Sequence, residues 1–191
     1  MKEVPEAVRH LRLCRSFRHL QQKVEDCIEV TTEPLFYIED NPETNSTVIT
    51  SHPEEDKICK VYNPSTGEAV VLSIDHKLIN NRAGGIADGA VFNTDNFHFV
   101  EFKTNAMGHT VGAVSATYTK AISQIKAAIE VFTFSLHTSG INFQDQVEVE
   151  CHVVVSESFP RNKAEEMTFA LLFAQETNGI PLYFDNEIEL H

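Results

Sequence analysis

Residues 86 to 103 constrain this chain more than any other stretch. Ile86 to Asn93 and Phe97 to Lys103 are strand-like runs, and the Asn93-Thr94-Asp95-Asn96 segment between them is built from residue types that favour tight turns. A hairpin is predicted. If the turn has two central residues, paired positions sum to an odd number, and Asp88 stands opposite Glu101 or Lys103 on their face of the sheet. A three-residue turn reverses the parity and points Asp88 away. Side chains alternate across a strand, so Glu101 and Lys103 share one face and Phe102 takes the other.

The elements around the hairpin set the fold class. Spacings of three and four among Phe17, Leu20, Val24 and Ile28 predict one long helix from Pro5 to about Val30, and Val4, Val8 and Leu11 mark a different side of it, so the helix bends near Leu13 or is covered on two faces. Short β-rich pieces follow at Leu35 to Ile38 and Thr47 to Thr50, and Ile58 to Tyr62 with Ala69 to Ile74 reads as an extra hairpin around Asn63-Pro64-Ser65-Thr66-Gly67. After Lys103 come a helix from about Ser115 to Phe134, with Ala121, Ile122, Ile125, Ile129 and Phe132 on its buried side, and a strand from Val147 to Val155. A helix from Asn162 to Glu176, with an apolar face through Met167, Ala170, Leu171 and Ala174, and an edge strand from Pro181 to Phe184 complete the pattern. The expected fold is α/β (α+β): a single domain over residues 1–191 around a mixed central sheet flanked by helices.

Composition adds limits. No run is long enough to span a membrane, and Cys14, Cys27, Cys59 and Cys151 share no CxxC spacing, so a soluble cytoplasmic chain with free thiols is expected. The net charge is −13, yet residues 1 to 23 carry Lys2, Arg9, Arg12, Arg15, Arg18 and Lys23 against Glu3 and Glu6, a local balance of +4 that leaves −17 for the other 168 residues. That basic segment is a solvated face or a surface for phosphates or a partner.

An ExK tripeptide occurs by chance roughly 0.7 times in a chain of this length. Glu55-Asp56-Lys57 and Asp75-His76-Lys77 are comparable tripeptides, but neither leads into a helix as Glu101-Phe102-Lys103 does. Two carboxylates and an ammonium converging on one sheet face suit a hard divalent cation held by oxygen, here Asp88, Glu101 and the Phe102 carbonyl. The competing reading is an ordinary cross-strand ion-pair cluster. Gly84 and Gly85 either allow close approach to the strand or are only turn residues. His98 and His109 invite zinc, but there is no HExxH, no His pair at four-residue spacing and no cysteine pair, so zinc is not expected. No GxSxG elbow and no P-loop occur.

From about Val70 to Val155 the chain resembles the PD-(D/E)xK nuclease superfamily, with Ile86-Ala87-Asp88 at the PD element and Glu101-Phe102-Lys103 as the ExK. The resemblance implies a restriction-endonuclease-like core of order αβββαβ, about residues 69–155. It implies a Mg²⁺ site, with Mn²⁺ able to substitute, at Asp88, Glu101 and Phe102, and catalytic roles for Asp88, Glu101, Lys103 and Gln124. Gln124, with Lys120 one turn before it, is placed like the glutamine of the RecB-type QxxxY element, although Ala128 stands where that element has tyrosine, and Ala87 stands where the family often has proline. The family often takes a further acid from the first helix; Glu6, Glu25 and Glu29 are available, and none is singled out. The implied function is DNA hydrolysis, ahead of RNA, in a prokaryotic defence, restriction or repair system. The acidic body implies an oligomer, or a partner protein that supplies basic surface or ATPase activity; the alternative is an inactive nuclease-like subunit used in binding or assembly.

Overall fold

A computed structural model of the chain describes residues 3–53, 55–80, 82–106 and 110–191. Lys2 and His109 lie outside the described residues. Two short helices, α1 (Glu6–His10) and α2 (Leu13–Ser16), precede strands β1 (Ile28–Thr31), β2 (Leu35–Asn41), β3 (Ser46–Thr50), β4 (Ile58–Tyr62), β5 (Ala69–Ser73), β6 (Gly89–Phe92) and β7 (Asn96–Phe102). Then follow α3 (Val111–Thr138), α4 (Phe143–Gln146), β8 (Glu148–Val154), α5 (Lys163–Glu176), β9 (Leu182–Tyr183) and β10 (Glu187–Glu189). The result is a mixed α+β fold with two mixed sheets. One sheet has the order β1-β5-β6-β7-β8-β9, antiparallel as far as β7 and parallel from β7 to β9; the other has the order β10-β4-β2-β3.

The predicted hairpin is β6–β7. Gly89 pairs with Val100 and Phe92 with Phe97, so Thr94 and Asp95 are the two central turn residues. Neither takes a positive φ. Instead the Asn93 side-chain oxygen accepts the Asp95 and Asn96 N–H groups, both at 2.8 Å, and fastens the turn. β7 is buried along its whole length because α3 covers one face and the second sheet covers the other. α3 starts where the Thr110 hydroxyl caps the Ala113 N–H, and its 28 residues carry the chain over the sheet to β8, parallel to β7.

Four expectations are corrected. The helix from Pro5 to Val30 is not continuous: Arg12 takes a left-handed backbone (φ +50) that ends α1, and Ile28 enters β1 opposite Leu72. Of the apolar residues at helical spacing, Val8, Leu11, Phe17 and Val24 are buried and Val4, Leu20 and Ile28 partly so, but in short segments that reach one core separately. Ile58 to Tyr62 and Ala69 to Ile74 do not form a hairpin, because β4 and β5 belong to different sheets; the Asn63 side chain, donating to the Gly67 carbonyl at 2.9 Å, shapes the turn that sends the chain across. Helices do not flank both faces of the central sheet, since Phe36, Ile38, Val61 and Ile188 of the second sheet pack on Val71, Val91, Val100 and Val154. In α5, Met167 and Leu171 are exposed, and Phe173 is the side chain buried in their place, with Phe169 and Ala170 partly covered. β9 is an edge strand, as Pro181 requires.

All four cysteines are free. Among the described residues no helix is long and apolar enough to cross a membrane.

Candidate active site

The turn decides the parity. One step beyond the Gly89–Val100 pair, the register sets Asp88 opposite Glu101, at the open end of the hairpin. The Asp88 N–H donates to Glu101 Oε2 at 3.2 Å, and the Phe102 N–H donates to Asp88 Oδ2 at 2.6 Å. Residue N–H and C=O groups leave an extended strand on the same edge, so the Phe102 carbonyl belongs to the Asp88 side as well. Lys103 Nζ pairs with Glu101 Oε1 and donates to Gln124 Oε1 of α3 at 3.0 Å. The four residues singled out from the sequence therefore meet in one cluster.

Gln124 also holds the strand that carries Asp88. Its side-chain amide donates to the Ile86 carbonyl at 3.4 Å, and its backbone carbonyl accepts the Ala87 N–H at 3.1 Å. This closeness needs Gly85, which has φ +82 and where a Cβ would lie 2.9 Å from the Gln124 amide nitrogen. Close approach is thus the reason for that glycine.

The electrostatics are unfavourable to ionised carboxylates. Glu101 is fully buried, and burial, followed by the charge of Asp88, pushes its carboxyl well above the usual range. Asp88 is pushed up to about 7 by burial first, with Asp40 and Asp75 adding to the rise and the Phe102 N–H and Lys103 opposing it. Asp40, at the end of β2, is raised by burial, and Lys103 partly offsets this. Asp88 and Glu101, with Lys103 beside them as the counter-charge, thus bring carboxylate oxygens together at the end of the hairpin, the donor type that hard divalent cations take.

Asp40 and Asp75 were missed as members of this site. With Asp88, Asn45, Ser46 and His76 they line a cavity of about 110 Å³, and Asp40 also lines a neighbouring 340 Å³ cavity with Lys103, Asn105, Thr117 and Lys120. In the sequence Asp75 stands out only as part of the tripeptide Asp75-His76-Lys77. The acids of the N-terminal segment lie elsewhere: Glu29 accepts the Ile49 N–H on β3, Glu25 neighbours Cys14, and the Glu6 backbone N–H bonds Glu68. The supplementary carboxylates come from the second sheet and from the loop after β5.

Comparison with protein-family models, with curated proteins and with solved structures gives no match, which leaves the geometry of the site to carry any functional reading.

Proposed function

We propose that this chain is a Mg²⁺-dependent phosphodiesterase acting on DNA, with a restriction-endonuclease-like core of the PD-(D/E)xK type. The observation that carries the reading is the Asp88–Glu101 pair, with Lys103 Nζ bound between Glu101 and Gln124. The order of β5, β6, β7, α3 and β8, with one acid beside the second strand and the other on the third, supports the same core. Asp88, Glu101 and the Phe102 carbonyl would hold the cation, Mg²⁺ or Mn²⁺, which would supply activation of water and neutralisation of charge on the phosphate. Lys103 orients the attacking water or the phosphate, and Gln124 fixes the Lys103 ammonium. The 340 Å³ cavity, with Lys103 and the exposed Lys120, suits a backbone phosphate next to the acids.

The net charge of −13 favours a protein that reaches nucleic acid as an oligomer or with a partner supplying basic surface or ATPase activity. The exposed Arg9, Arg15, Arg18 and Lys23 are basic side chains of the N-terminal segment open to such a contact. The same charge favours a second reading, an inactive nuclease-like subunit that serves assembly. A role in prokaryotic defence, restriction or repair rests on resemblance alone.

Purified protein is expected to cleave DNA with Mg²⁺ or Mn²⁺ and to stop with EDTA. Lys103→Ala is expected to lower cleavage by about 10²–10⁴-fold with an unchanged circular-dichroism spectrum. Full activity in Lys103→Ala rejects the site. Absence of both cleavage and Mg²⁺ binding by calorimetry, the latter compared with Asp88→Ala, favours the assembly reading.

A further inference from the structure

The face of β7 turned away from Glu101 carries a second constellation. β7 and β8 run parallel with His98 opposite Glu150 and Val100 opposite His152, so Glu150 and His152, two residues apart, share one face with His98. His98 Nδ1 lies 3.2 Å from His152 Nε2 and 3.4 Å from Glu150 Oε2, and His152 Nε2 lies 3.9 Å from the same oxygen. Ligands about 2.0–2.1 Å from a tetrahedral ion are about 3.3 Å apart, which these separations bracket.

We propose that His98 Nδ1, His152 Nε2 and the Glu150 carboxylate form a tetrahedral site for a divalent transition metal, Zn²⁺ by its donor set, with water in the fourth position. Two imidazoles and one carboxylate suit Zn²⁺ rather than Mg²⁺, whose chemistry belongs to the all-oxygen cluster on the other face. The outer partner is present: Asp185 Oδ1 accepts from His152 Nδ1 at 2.9 Å, which puts the proton on that nitrogen and leaves the Nε2 lone pair aimed at the other two groups. His98 points its Nδ1 into the cluster, while its buried Nε2 has no hydrogen-bond partner among the described residues. The Glu150 side chain is 22% exposed and that of Asp185 47%, giving the ion access from that edge.

Chelator-stripped protein titrated with Co²⁺ tests the site. Expected are one tetrahedral ion per chain, read from the intense visible absorption of tetrahedral Co²⁺, and its displacement by Zn²⁺. His98→Gln and the part-exposed Glu150→Gln lose the band or weaken binding more than tenfold, with circular dichroism confirming the fold. Asp185→Asn, a positioning change, keeps the band and weakens binding about 10–100-fold. Asp88→Asn leaves it unchanged, which separates this site from the proposed nuclease centre. Pale octahedral Co²⁺ without the tetrahedral band, no uptake of Co²⁺ or Zn²⁺ by the wild type, or a band that survives intact in Glu150→Gln overturns the proposal.

Discussion

Replacing Asp88 with asparagine tests whether this site is strained for function. In the folded chain the Asp88 carboxyl is pushed up to about 7 from an ordinary 3.8. Below the ordinary value both folded and unfolded states hold the proton, and nothing is lost. Between pH 4 and 7 the unfolded chain releases it while the buried group resists, so stability falls across that window. The ceiling of the loss is about 4 kcal/mol, at 1.36 kcal/mol for each tenfold change in proton affinity, and local relaxation reduces it to about 2–4 kcal/mol. Asparagine keeps an oxygen to accept the Phe102 N–H and carries no charge, and it also relieves Glu101, whose carboxyl Asp88 raises. In a chain of this length 1 kcal/mol moves Tm by about 2–4 °C. Thermal melts in chelator should therefore show Asp88→Asn matching the wild type at pH 4 and exceeding it by roughly 4–16 °C at pH 8. Mg²⁺ should narrow the gap at pH 8 by stabilising only the wild type, by about 2.7 kcal/mol at a hundred times Kd. If the asparagine variant melts below the wild type at pH 8 in chelator, or keeps the wild-type slope with pH, the carboxylate is not a strained one and the reasoning fails.

Two further outcomes follow from the same geometry. Gly85→Ala puts a methyl at left-handed φ against Gln124 and is expected to cost about 1–3 kcal/mol in denaturant melts and to lower cleavage, because Gln124 holds both Lys103 and the Asp88 strand. Asp40→Asn is expected to weaken Mg²⁺ at least about tenfold by calorimetry with the fold intact, since Asp40 supplies part of the negative field at Asp88; unchanged affinity would remove Asp40 from the site.

The pairing of Asp88 with Glu101 was legible because local chemistry decides it. Asn93 closes a two-residue turn with its own side chain, and everything from Asp88 to Lys103 follows by counting. Gln124 was legible only through the resemblance to the RecB-type QxxxY element, which places a glutamine on the helix after the ExK. The N-terminal segment misled because Phe17, Leu20, Val24 and Ile28 meet one core from four different local conformations, and the break at Arg12 has no proline or glycine to announce it. Asp40 was hidden because it reaches Asp88 only through the packing of one sheet on another, and Asp75 because it reaches Asp88 along the β5–β6 pairing, where its N–H bonds the Asp88 carbonyl at 3.3 Å. The histidine cluster depends on the parallel register of β7 and β8, which lie more than forty residues apart and leave no spacing to read.

Gly89 sets how near those two sheets stand. A Cβ there would meet the Thr47 hydroxyl at 2.5 Å and the Leu72 carbonyl at 2.9 Å, so β3 rests against bare backbone of β6. Thr47 and Asp40 are directly paired in the second sheet, and Gly89 adjoins Asp88 in the first. The interlayer gap is in effect a dial for charge density: one methyl acting as a shim would move a whole sheet outward and dilute the negative field at Asp88 without altering a single titratable group.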